Sequence, residues 1–153
     1  TDIGFLFVGR GSDVARLKAL AAGKALDNVL FHDEIEPREV PGLLAQCHVG
    51  LVMLDPRHKT HNVPGKFLTY MQAGLPVLAR INAGNDLAEL IAREEVGQAY
   101  IGNSIDEFQA LAEAVCDLDP VVTALRATAL SDRLYSARAA VEQVVSALSL
   151  KSV

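Results

Sequence analysis

His61-Asn62-Val63-Pro64-Gly65-Lys66-Phe67-Leu68-Thr69-Tyr70-Met71-Gln72-Ala73-Gly74-Leu75-Pro76-Val77-Leu78-Ala79 is the stretch whose reading decides the fold. Asn-Val-Pro-Gly opens a helix, Ala73-Gly74 closes it, and the apolar run from Pro76 reads as a buried strand. Proline at the helix start and glycine just past its end follow the usual asymmetry of helix termini. The amides of a first helical turn have no intrahelical partner, and the helix dipole favours negative charge beside them. With Gly65 leaving the backbone open and Lys66 adding a full positive charge, this terminus suits a bound phosphate. The ordinary alternative is a loop–helix–strand unit with a surface lysine.

Working outward, short apolar runs alternate with helical patterns. Strands are expected at 4–8, 29–31, 49–53, 76–79 and 98–101, and helices at 12–22, 41–47, 65–73, 86–93 and 105–116. The runs are continuously apolar rather than alternating, as in a parallel sheet covered on both faces. The alternation predicts an α/β fold with a doubly wound parallel sheet, binding its ligands beyond the carboxyl ends of the strands. From Asp119 to Leu148 the pattern is helical only, and Ser131-Asp132 is the expected N-cap between two C-terminal helices.

At 153 residues, half of them apolar, the chain suffices for one domain, 1–153. A net charge of −5 argues against nucleic-acid binding. No run approaches the ~18–20 apolar residues that span a bilayer. The chain starts on Thr1 and runs at once into the strand pattern of Ile3–Val8, an abrupt opening expected of a fragment of a longer protein. Cys47 and Cys116 lack ligand-like spacing and are expected as buried free thiols of a reducing cytosol.

Several loops carry candidate chemistry. Gly9-Arg10-Gly11-Ser12-Asp13-Val14 is a glycine-rich strand-to-helix turn. A dinucleotide fingerprint requires glycine where Val14 stands, so an NAD site is disfavoured. His58 and His61 have H-x-x-H spacing, but zinc takes three or four protein ligands and no third one lies nearby, so no metal is expected. Arg57, His58 and Lys59 fit better as a basic mouth facing an anion, against the alternative of a solvated loop. Asn82-Ala83-Gly84-Asn85-Asp86 follows the next strand and offers a second anion-friendly terminus, with Asp86 as its cap and the Gly84 and Asn85 backbone beside the ligand.

The 61–79 segment resembles the signature Pro-x-Lys-x-x-Glu-Tyr-Met-x-x-Gly-x-Pro-Val of retaining, nucleotide-sugar-dependent glycosyltransferases of family 4, in their C-terminal, donor-binding domain. Phe7-Val8-Gly9-Arg10-Gly11-Ser12 resembles the family's Val-Gly-x-Gly turn. Asn28–Ile35 resembles its base-side strand and loop, and Leu43–Leu51 its Leu-Leu-x-x-Ala-Asp-Val helix–strand pair. The resemblance implies a Rossmann-like domain, the C-terminal half of a GT-B fold, completed by an N-terminal acceptor domain of the same chain.

It further implies Lys66 as the catalytic cation. Gly9, Gly11, Asp33, Glu34, Ile35, His61, Val63, Gly65, Thr69, Gly84 and Asn85 would be donor contacts, those of the 33–35 loop mostly through backbone groups. The donor would be a nucleotide-diphosphate sugar, UDP-linked in kind, used as substrate with no separate cofactor. The implied role is synthesis of bacterial surface polysaccharide or lipopolysaccharide. The setting would be the cytoplasm, at the inner face of the membrane where the other domain meets a lipid-linked acceptor. The sequence departs from the family at His61 and Thr69, where relatives carry two glutamates, the second on the ribose. A Thr hydroxyl gives that contact without charge assistance. The family's upstream Arg–Lys pair also falls outside the chain, so the fragment is expected to bind but not to catalyse. The rival readings are a non-catalytic nucleotide- or carbohydrate-binding module, a sugar-nucleotide 2-epimerase on the same fold and, most remote, an NAD-linked dehydrogenase.

Overall fold

The computed structural model of the chain describes residues 3–55 and 63–149. Its described residues form five strands and seven α-helices, divided between two compact units, Thr1–Leu43 and Leu44–Val153. Every strand pairing is parallel, as the apolar runs predict. The strands lie in two sheets rather than the one expected, a pair in the first unit and a triplet in the second.

In the N-terminal unit, β1 (Phe5–Val8) pairs with β2 (Val29–His32), Phe5 opposite Val29 and Val8 opposite His32. The Phe7 and Phe31 rings stack at 5.3 Å between centroids. α1 (Val14–Gly23) connects the strands and starts at Asp13, whose carboxylate turns to Arg16 at 2.5 Å instead of capping the helix. That contact holds the Asp13 carboxyl below its ordinary value. A short 3₁₀ turn at Pro37–Glu39, closed by a reciprocal capping box between Glu36 and Glu39, leads into α2 (Val40–Leu44). The sequence reading missed that turn. Two strands and one helix enclose little, and none of residues 3–43 is fully buried.

The C-terminal unit holds the core. Its sheet runs β3 (Gly50–Met53), β4 (Val77–Arg80), β5 (Gly97–Tyr100), with Met53, Arg80 and Tyr100 level at the carboxyl edge. Val77 and Ala79 are wholly buried, as are Phe67 and Met71 from α3 (Gly65–Gln72). Leu87 and Ile91 of α4 (Asp86–Glu94) and Leu130 of α6 (Pro120–Leu134) complete the same cluster. Gly50 leaves space for the Tyr70 ring, since a Cβ there would come within 2.4 Å of it. The Tyr70 hydroxyl donates to the Leu51 carbonyl at 3.4 Å, and burial pushes its phenol pKa up.

Most boundaries fall within a residue or two of expectation, and α5 (Ile105–Cys116) matches at both ends. The tail differs. Helix α6 continues through Ser131-Asp132 because Leu130 and Ser131 are buried, and burial outweighs the local capping preference of the pair. The break comes at Tyr135. Ser136 then precedes α7 (Ala137–Ser149), its Oγ accepting from the Ala139 amide at 3.1 Å. Neither cysteine is fully buried: Cys47 is half-buried in a turn beyond α2, and Cys116 is exposed at the end of α5.

Candidate functional site

The start of α3 has the features an anion would need. Its N-cap residue is Pro64, in extended conformation, and among the described residues no side chain caps the helix. No acidic residue occupies the first turn, while Gly65 and Lys66 are both exposed. Among the described residues no carboxylate pairs with Lys66. A Cβ at Gly65 would meet no atom of the described residues within 4 Å, so their packing does not require glycine there. What glycine provides is an open approach to the first-turn amides, where partial positive charge accumulates. One turn along, the Thr69 hydroxyl donates to the Gly65 carbonyl at 3.2 Å. Its proton is used within the helix, which leaves the oxygen as an acceptor for any ligand hydroxyl.

The start of α4, which follows β4 at the same edge of the sheet, is built differently. Its cap is Asn85 rather than Asp86: the Asn85 Oδ1 accepts from the Leu87 amide at 3.0 Å, and Asp86 falls on the first helical position. The backbone N–H of Asn85 donates to the Asn82 carbonyl at 3.3 Å. Asp86 and Glu89 already complement the dipole with negative charge. The Asn85 cap thus engages the Leu87 amide and the nearby carboxylates repel an anion, while the buried Asn85 Nδ2 and Asn82 Oδ1 have no hydrogen-bond partner among the described residues. Gly84, exposed with φ +78°, makes the turn that only glycine takes readily. Val63, on the approach to α3, lines a cavity of about 220 Å³ together with Asp86, Leu87, Glu89, Leu90 and Arg93.

The remaining candidates lie in the N-terminal unit, at the carboxyl ends of β1 and β2. Gly9 turns the chain with φ +134°, and its amide extends the ladder to the His32 carbonyl at 3.1 Å. The Gly11 carbonyl accepts from the Val14 amide at 3.3 Å as α1 begins. Glu34 forms an ion pair with Arg10 at 2.8 Å, tying the two loops together. Both side chains are largely exposed, so the pair contributes at most about 1 kcal/mol. Asp33 is exposed, its carbonyl accepting from His32 Nδ1 at 2.8 Å, and Ile35 is half-buried.

The structure thus gathers Val63, Gly65, Lys66, Thr69, Gly84 and Asn85 in the C-terminal unit, and Gly9, Gly11, Asp33, Glu34 and Ile35 in the N-terminal one. His61 lies outside the described residues, as do Arg57, His58 and Lys59. Among the described residues no cluster of three or more His, Cys, Asp or Glu side chains is placed to hold a metal ion. Sequence reasoning passed over Arg10 and Arg80. The first was signalled by its place between two turn glycines, the second by a charge ending the apolar run of β4.

Against this geometry, a family model described as Glycosyl transferases group 1 matches residues 1–119. The chain belongs to that family. The match takes in every candidate residue of this glycosyltransferase-type domain and stops at Asp119, the cap of α6, so α6 and α7 lie beyond it. No curated protein matches the glycosyltransferase chain. Among its described residues no helix is long and apolar enough to cross a membrane.

Proposed function

We propose that this is the donor-binding domain of a retaining glycosyltransferase, taking a nucleotide-diphosphate sugar and transferring its sugar to an acceptor held by a further domain. The observation that carries the reading is the α3 terminus, with no capping side chain among the described residues, no acid in its first turn, and a glycine around which no described atom crowds. As the glycosidic bond breaks, negative charge grows on the leaving diphosphate. Fixed amide dipoles and Lys66 would stabilise that charge without reorganising. The Gly9–Gly11 turn and the Asp33–Ile35 loop are proposed as nucleotide contacts, with Arg10 holding the Glu34 side chain. His61 and Thr69 are proposed to meet hydroxyl groups of the donor. We read both units as one functional domain, with UDP-linked donors, bacterial surface polysaccharide and a lipid-linked acceptor at the inner membrane face as the proposed setting.

Isothermal titration of the protein with UDP, GDP and UMP tests the central claim. Diphosphates are expected to bind more tightly than the monophosphate, and the difference is expected to shrink in Gly65→Ala. Equal affinity for UMP and UDP in the wild type would remove the diphosphate from α3.

A further inference from the structure

Arg80 ends β4, the central strand of the three-stranded sheet, at its carboxyl edge. It is half-buried, and its Nη2 donates at 2.8 Å to Oδ1 of Asn103, in the turn between β5 and α5. That partner is neutral. The other arginines described in the C-terminal unit all pair with carboxylates: Arg93 and Arg133 with Glu94, Arg126 with Glu95, and Arg138 with Glu142. In a chain of net charge −5, Arg80, without a carboxylate partner among the described residues, stands at the edge where this fold class binds ligands. Glu107 on the neighbouring helix accepts from the Tyr100 hydroxyl at 3.2 Å and forms no ion pair with Arg80. Of the five N–H donors on a guanidinium, one is spent on Asn103, which fixes the side chain while the rest of the planar fork stays available.

We propose that Arg80 is a binding residue for an oxyanion, phosphate or carboxylate, carried by the ligand of this domain. The inference rests on the nucleotide-sugar reading for the ligand's identity but not for the anion itself. The two sources of the oxyanion are the donor diphosphate and an acidic group on the transferred sugar.

Two measurements on the protein separate them. In the first, the Arg80 Nε–Hε signal is followed by NMR during titration with pyrophosphate, glucuronate and, as neutral control, glucose. It is expected to move with an anion and to stay still with glucose. In the second, calorimetry compares UDP, UDP-glucose and UDP-glucuronic acid on wild type, Arg80→Gln and Arg80→Lys. Arg80→Gln is expected to weaken binding about ten-fold or more, with Arg80→Lys intermediate because it keeps charge but loses the fork. A loss shared by all three ligands assigns Arg80 to the diphosphate, and a loss confined to UDP-glucuronic acid assigns it to the sugar carboxylate. A signal moved by pyrophosphate or glucuronate in a protein that binds no nucleotide upholds the inference and overturns the nucleotide reading. Nucleotide binding unchanged in Arg80→Gln, with the signal still under every anion, overturns the inference and leaves that reading intact. Arg80→Lys supplies the affinity comparison if Arg80→Gln does not fold.

Discussion

Two glycines show how the same residue type serves opposite ends. Gly97 lies at φ +150°, and a Cβ there would come within 2.0 Å of the Val77 carbonyl oxygen, so the fold needs it. Gly97→Ala combines backbone strain with a clash inside the β4–β5 ladder and is expected to cost about 3 kcal/mol or more, read as a lowered denaturation midpoint. Gly65 has no such constraint. Gly65→Ala is expected to leave stability unchanged or raise it by about 0.4–1 kcal/mol, through lower entropy of the unfolded chain, while weakening diphosphate binding. A parallel loss of stability would return Gly65 to a packing role. Lys66 and Thr69 divide differently. On the proposed reading, Lys66→Ala in an active enzyme is expected to lower kcat about 10²-fold, because its charge would matter most as the diphosphate leaves. Thr69→Ala removes one neutral contact and is expected to cost about 0.5–1.5 kcal/mol, mainly in KM. Steady-state kinetics of both variants decide the matter, and near-normal kcat in Lys66→Ala would end the catalytic assignment.

Between elements, α6 depends on one cap and on ion pairs to the end of α4. Asp119 Oδ1 accepts from the Val121 and Val122 amides at 2.9 and 3.0 Å, so Asp119→Ala is expected to destabilise the unit by about 1 kcal/mol in denaturant titration. Arg133 reaches Glu94 on α4 at 2.6 Å and, with Arg93, holds that carboxyl below its ordinary value of 4.5. A carboxyl depressed on folding adds stability above the unfolded value, and loses it as the pH falls through the folded one. The stability gap between wild type and Arg133→Gln is therefore expected to be full above pH 4.5 and to close below it. A gap independent of pH would assign the effect to packing. The elements themselves were legible because apolar runs and turn residues act locally. The end of α6 was not, since Ser131-Asp132 looks like a cap until Leu130 and Ser131 are known to be buried. Likewise Pro64-Gly65-Lys66 announced the α3 terminus, whereas Arg10–Glu34 and Arg80–Asn103 join residues distant in sequence, and only folding brings those partners together.

At the scale of the molecule, burial is concentrated in one unit. Residues 44–153 carry the three-stranded sheet and its core, and are expected to melt cooperatively when expressed alone, as followed by circular dichroism. Residues 3–43, with no fully buried side chain, are expected to show no cooperative transition in isolation. A sharp melt from the shorter piece would show that two strands, α1 and the short helical turns after β2 suffice. Pro64 at the start of α3, a residue whose side chain cannot cap, has an evolutionary corollary. A side-chain cap is within easy mutational reach and commonly adds about 1 kcal/mol, so selection for robustness alone would favour acquiring one. On the proposed reading, Pro64→Asp should raise the melting temperature and abolish the preference for diphosphate, placing durability and trade at the same residue. Lineages that relinquish the reaction would then be free to close this helix, and a capping residue at position 64 would mark them.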